Sequence, residues 1–256
     1  MNEEVPVPVL GRTVRYGALV ATLIGGLFTV AFLFPFYGRA RRWRAVQTWS
    51  ACVVRSAGVD VRLKGAVPEH GTRVMAVSNH VSWLDVQVLH SVWNVRFVAK
   101  SEIRNWPFIG WLSARTGTLF VDRSRRRHAA RINDDIHQAF ADGDAVAVFP
   151  EGTTTRGDEL LRFHASLLQP AIDAQAQIAP VAIRYVDGTG KRHPAAAYVD
   201  EMSLMSSVSL ILRARKIVAE VEILPALQTQ GRTRRELAQD CHARIAAALN
   251  LPVAHS

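Results

Sequence analysis

Residues 17–37 carry no charged side chain. As a helix this run is about 30 Å long, the thickness of a bilayer's hydrocarbon core. It must therefore be covered by lipid or by the rest of the protein. Arg12 and Arg15 precede it, as in a signal peptide. The apolar run is long for a signal peptide, however, and Arg39, Arg41, Arg42 and Arg44 stand where a small-residue cleavage site is expected. Those arginines place the C-terminal end of the segment on the cytoplasmic side of the inner membrane. Gly25, Gly26 and Pro35 weaken one straight span, so a re-entrant pair of membrane-inserted helices is the second geometry.

The remainder alternates. Residues 43–57 predict a helix mixing aromatic and basic character, ended by Gly58. It suits either the headgroup level of a membrane or a core position with one wet face. Strands are predicted at 59–63, 74–77, 95–99, 118–121, 145–149, 178–183 and 217–224, and helices at 83–92, 126–141, 167–176 and 233–249. This order predicts an α/β fold, a mostly parallel sheet flanked by helices. The expected organisation is a membrane-anchoring helical region over 1–58 and an α/β domain over 59–256.

Composition narrows the partner. Apolar residues make up 49% of the chain, which excludes a disordered protein. The formal net charge of +9 calls for an anionic partner. No helix-turn-helix, zinc or RNP-type signal accompanies that charge, so nucleic acid is not expected. A membrane surface or phosphorylated substrate remains. Cys52 and Cys241 form no disulfide framework and match no zinc spacing.

Residues 74–85 read VMAVSNHVSWLD. A buried strand runs into a loop holding Asn79 and His80, and a helix follows. His80 and Asp85 would diverge on one continuous helix. A turn between them lets a carboxylate in the first helical turn swing back to the imidazole. Ser82 with Asp85 three residues on is also a capping pattern, which accounts for Asp85 without chemistry and leaves His80 unexplained.

Three later stretches add to this. Residues 117–126, GTLFVDRSRR, carry a strand into an arginine cluster, and a guanidinium fork binds phosphate oxygens bidentately. A solvated basic helix start would look similar. In residues 148–157, VFPEGTTTRG, Glu151 leaves a buried strand and Gly152 permits close backbone approach. The run lacks the Lys and spacing of a P-loop. Pro180 interrupts the strand at 178–183, predicting an edge or a bulge.

Taken in order, these stretches resemble the motifs of the glycerolipid acyltransferase family, specifically 1-acylglycerol-3-phosphate acyltransferases. The family's Asn-His, four residues, then Asp appears as Asn79, His80 and Asp85. Its Gly with Arg six later appears as Gly117 and Arg123, its Phe-Pro-Glu-Gly-Thr as Phe149 through Thr153, and its Pro-containing strand as Pro180. The resemblance covers nearly the whole chain after the apolar segment. It departs at Thr154 and Thr155, where many members have Arg then Ser, and at Phe163-His164, where an aromatic-Lys pair is common. Threonine-rich versions also resemble members that acylate lyso-ornithine lipids.

Acyl transfer to an alcohol needs a base and a stabilised oxyanion. His80 suits the first task, with Asp85 holding its tautomer. No Ser or Cys nucleophile is evident, so the substrate hydroxyl attacks directly. Arg123, Glu151, Gly152 and Thr153 are the expected substrate-binding residues, Arg123 and Glu151 for the acceptor, with backbone amides near Gly152 for the oxyanion. The resemblance implies acyl-CoA or acyl-carrier-protein as donor, a lysophospholipid acceptor among membrane lipids, and no cofactor or metal. A catalytically inactive membrane scaffold could dispense with the base, whereas His80 and Asp85 are both present.

Overall fold

In the computed structural model, which describes residues 7–121, 126–199 and 202–252, seven strands form one sheet. Two helices come first, α1 (Val9–Phe28) and α2 (Arg39–Ser56). Then follow β1 (Val59–Lys64), β2 (Val74–Ser78), α3 (Leu84–Val92), β3 (Val95–Lys100), α4 (Ile109–Arg115), β4 (Leu119–Val121) and α5 (Arg126–Ala141). The chain continues through β5 (Ala145–Val148), α6 (Gln169–Asp173), β6 (Gln177–Val186), α7 (Leu204–Arg213), β7 (Ile217–Ile223) and α8 (Arg234–Leu249). Strand order is β1-β7-β6-β2-β5-β3-β4, and every pair is parallel except β6–β7.

The period-two alternation of the central strands explains the layering. Val74 and Ala76 enter one core while Met75 and Val77 enter the other. Ala145 and Ala147 likewise oppose Val146 and Val148. A strand apolar on both faces needs helices on both faces, which is what a mostly parallel sheet requires. Val53 and Val54 of α2, Val88 of α3 and Leu212 of α7 cover the first face. Ile136 of α5, Ala171 of α6 and Ile245 of α8 cover the second.

The helix from α1 runs through Gly25 and Gly26 without a break, then passes through a π turn (Thr29–Leu33) and a 3-10 turn (Phe34–Phe36). Gly26 serves packing. A Cβ on Gly26 would lie 2.2 Å from Trp49 Nε1, whose N–H donates to Thr22 O at 2.8 Å. α1 and α2 therefore lie side by side and antiparallel. Residues 9–36 form the one helix among the described residues long and apolar enough to cross a membrane. Its outer face exposes Val20, Ile24, Phe28, Phe32 and Phe36 at successive four-residue steps. Residues 43–57 belong to a core helix: Val46, Ser50, Val53 and Val54 are buried, and Trp43 and Arg39 both reach Asp144 ahead of β5.

Pro180 is not at an edge. It lies inside β6, near the middle of the sheet. From Val181 back to Ile178 the partner chain advances from Ile223 to Leu227, one residue more. A bulge thus stands opposite Pro180, on the side where its missing N–H points, and no ladder bond is lost. Two helices also lie outside the expected set. α4 is only two turns long, and α7 is rich in serine, a residue that favours caps and turns. Ser203 supplies the cap of α7, accepting from Ser206 N.

Candidate active site

The site forms at the carboxyl end of β2. Asn79 extends that strand by one side-chain pairing: its Nδ2 donates to Ile183 O at 2.9 Å and its Oδ1 accepts from Ile183 N at 2.8 Å. His80 comes next, in the loop that leads into α3. Asp85 lies in the first turn of α3 and is 0% exposed.

Asp85 accepts hydrogen bonds from four donors. Its Oδ2 accepts from His80 Nδ1 at 2.8 Å, Val81 N at 2.7 Å and Ser82 N at 2.9 Å. Its Oδ1 accepts from the Tyr185 hydroxyl at 2.6 Å. One carboxylate oxygen thus gathers the His80 ring and the two backbone N–H groups that lead into α3. With the proton on Nδ1 facing the carboxylate, Nε2 of His80 carries the lone pair. The imidazole, 20% exposed, stacks on Phe149 with ring centroids 4.0 Å apart.

Glu151 ties the second loop to the first. Its Oε1 accepts from His80 N at 2.8 Å and its Oε2 from Leu161 N at 2.9 Å. Burial pushes its carboxyl up to about 7, against the pull of the two backbone N–H groups. Each oxygen accepts one backbone N–H, so Glu151 ties the two loops together. Gly152 has φ +73°, a left-handed conformation that favours glycine, and its N–H donates to Phe149 O. That amide is therefore occupied. Among the described residues the amides of Thr153 and Thr154 have no intramolecular acceptor. Thr155 N donates to His80 O at 2.9 Å, and the Thr154 hydroxyl donates to Tyr198 O. Thr154 and Thr155 thereby pack the loop against its neighbours.

His80, Asp85, Glu151, Gly152 and Thr153 therefore share one end of the sheet. Arg123 lies outside the described residues, just past β4. Sequence reasoning missed Tyr185. Its signal was the parity of β6: Ala179, Val181, Ile183 and Tyr185 face the same core, and a buried tyrosine hydroxyl needs a partner.

The family model described as Acyltransferase matches residues 58–184. A 1-acyl-sn-glycerol-3-phosphate acyltransferase of Neisseria meningitidis is 36% identical over 183 residues, covering 72% of this chain and 71% of the relative. A lyso-ornithine lipid O-acyltransferase of Brucella abortus is 32% identical over 254 residues, covering 93% of this chain and 94% of the relative. The crystal structure of a 1-acyl-sn-glycerophosphate acyltransferase from Thermotoga maritima superposes with a TM-score of 0.71 over 94% of each chain, at 20% identity. It supports the fold, mostly parallel with flanking helices. The chain belongs to the Acyltransferase family, and it is an acyltransferase.

Proposed function

We propose that the protein transfers a fatty acyl group from acyl-CoA or acyl-carrier-protein to the free hydroxyl of 1-acylglycerol-3-phosphate. The observation that carries this reading is the His80–Asp85 pair at 2.8 Å, with Asp85 held by four donors and Nε2 left for substrate. Nε2 takes the acceptor's hydroxyl proton as its oxygen attacks the thioester carbonyl. Asp85 stabilises the imidazolium that forms. The tetrahedral oxyanion then expels the thiolate as the C–S bond breaks, and the imidazolium returns the proton to sulfur. The unengaged amides of Thr153 and Thr154 are the candidate oxyanion donors. Neither a cofactor nor a metal enters this scheme.

Arg123 is proposed to hold the acceptor's phosphate through a bidentate fork. Arg123→Ala should raise the KM for 1-acylglycerol-3-phosphate about ten- to a hundredfold, the loss of one charged contact. Lys should restore only part. The domain is proposed to work on the cytoplasmic face of the inner membrane, attached through residues 17–37, because arginines follow that segment.

A second reading has support of its own. The lyso-ornithine lipid relative matches this chain almost end to end, and Thr154 replaces a cationic family residue. Purified protein given one acyl thioester and either 1-acylglycerol-3-phosphate or lyso-ornithine lipid separates the two. Phosphatidate as the dominant product supports the first reading, and ornithine lipid replaces it with the second. No acylated product from either would overturn both.

A further inference from the structure

A cavity of about 480 Å³ opens between α1 and α2 and is closed on one side by α4. It lies at the opposite end of the sheet from His80. Trp43 of α2 bonds Asp144, which precedes β5, whereas His80 follows β2, a parallel neighbour. A strand length, roughly 15 Å, separates the two ends. Val30 and Phe34 from the π and 3-10 turns, Val46 from α2 and Leu112 from α4 form its apolar side, and Thr29, Thr48 and Thr116 line it as well.

The rim is cationic. Arg41 and Arg44, three apart on one face of α2, are both exposed and both line the groove. Nearby arginines are already engaged: Arg39 pairs with Asp144 at 2.6 Å, and Arg42 donates to Phe34 O at 3.0 Å. Arg41 lies over the Tyr37 ring, 4.1 Å from its centroid. Among the described residues, neither Arg41 nor Arg44 has a carboxylate partner. The groove is formed in part by the same helix, through Gly26, Thr29 and Val30, whose other face carries the exposed apolar stripe. An apolar slot beside a membrane-length helix, with two uncompensated guanidiniums at its mouth, matches one ligand chemistry.

We propose that this groove holds one anionic phospholipid, its phosphate on Arg41 and Arg44 and an acyl chain along Val30, Phe34 and Leu112. The site is separate from the catalytic one, and the proposal does not rest on the roles given to His80 or Asp85. The lipid fastens α1 to α2 where the helix path is irregular, and ties the domain to the anionic leaflet.

Native mass spectrometry of the full-length protein in detergent tests this with two probes, palmitoyl-oleoyl phosphatidylglycerol and the matching phosphatidylcholine. One phosphatidylglycerol should be retained about tenfold more tightly than phosphatidylcholine, the effect of a charged contact. Arg41→Gln with Arg44→Gln should abolish that preference. Ala45→Trp, which fills the groove and keeps both charges, should also expel the lipid. His80→Ala should bind it normally, so a failure of the catalytic reading would be seen separately. Equal retention of both lipids would overturn the proposal. So would retention unchanged by Ala45→Trp, or displacement by inorganic phosphate at the lipid's own concentration, which would mark a simple anion site.

Discussion

His80 and His90 stand at the two ends of α3, and their surroundings differ in every respect that matters for a base. His80 is partly open, gives Nδ1 to Asp85 at 2.8 Å and leaves Nε2 toward the substrate side. His90 is buried against Phe97 and Trp43, and its Nδ1 has no hydrogen-bond partner. Burial drives its pKa down to about 4, so it is neutral at physiological pH. Burial alone makes a histidine inert. A carboxylate on one nitrogen and an opening at the other make it a candidate base.

The sharpest way to break this contrast is to remove each imidazole. His80→Ala should lower acyl transfer about 10³-fold, within the range of general-base catalysis, with the fold intact by circular dichroism. His90→Phe should change turnover less than about twofold, within the small effect expected away from a working site. Comparable losses from both would end the distinction.

Asp85→Asn should come next, on the order of 10²-fold in kcat, the low end of what general-base assistance supplies. An amide offers one acceptor oxygen where four donors converge, so the tautomer of His80 and the turn at Val81 and Ser82 are both disturbed. A melting curve taken alongside the rate separates the two effects. An Asn variant with normal kcat would remove Asp85 from the mechanism.

Tyr185→Phe removes only the hydroxyl bound to Asp85 Oδ1. Without that donor the carboxylate is more basic and favours the imidazolium more strongly. The acid limb of the kcat/KM profile should move to higher pH, with a rate loss of about three- to tenfold, the size of one hydrogen bond. A profile that falls in height without shifting would make Tyr185 a packing residue.

These residues differ in how far they can be read from the chain. His80 and Asp85 are close in sequence, and a loop before a capped helix is enough to bring them together. The strands around them are legible because period-two alternation places apolar residues on both faces. Tyr185 and Asn79 meet the site through pairings about a hundred residues apart, and only the register of β6 against β2 decides them. Pro180 leaves an edge and a bulge open for a related reason: only the register of the strand beside it decides for the bulge. Gly26 looks like a break but makes room for Trp49, a residue on another helix.

A different measure, stability against pH, sets His90 against Glu151. Glu151 is raised from 4.5 to about 7, so the folded state holds the proton longer than the unfolded chain. Its contribution is full below pH 4.5 and is lost as pH rises through 7. His90 is lowered from 6.5 to about 4, so its contribution is full above pH 6.5 and is lost as pH falls through 4. Each is worth on the order of 3 kcal/mol across its window, and the windows overlap with opposite signs. The pair should leave the wild-type unfolding free energy nearly flat between pH 5 and pH 6.5, apart from other groups. Measured as differences from wild type, Glu151→Gln should lose stability toward acid, because the His90 slope is then uncompensated. His90→Phe should lose it toward neutral pH for the converse reason. Denaturant titrations of the three proteins across that range check both slopes. Parallel curves would mean that neither buried group titrates as its surroundings require.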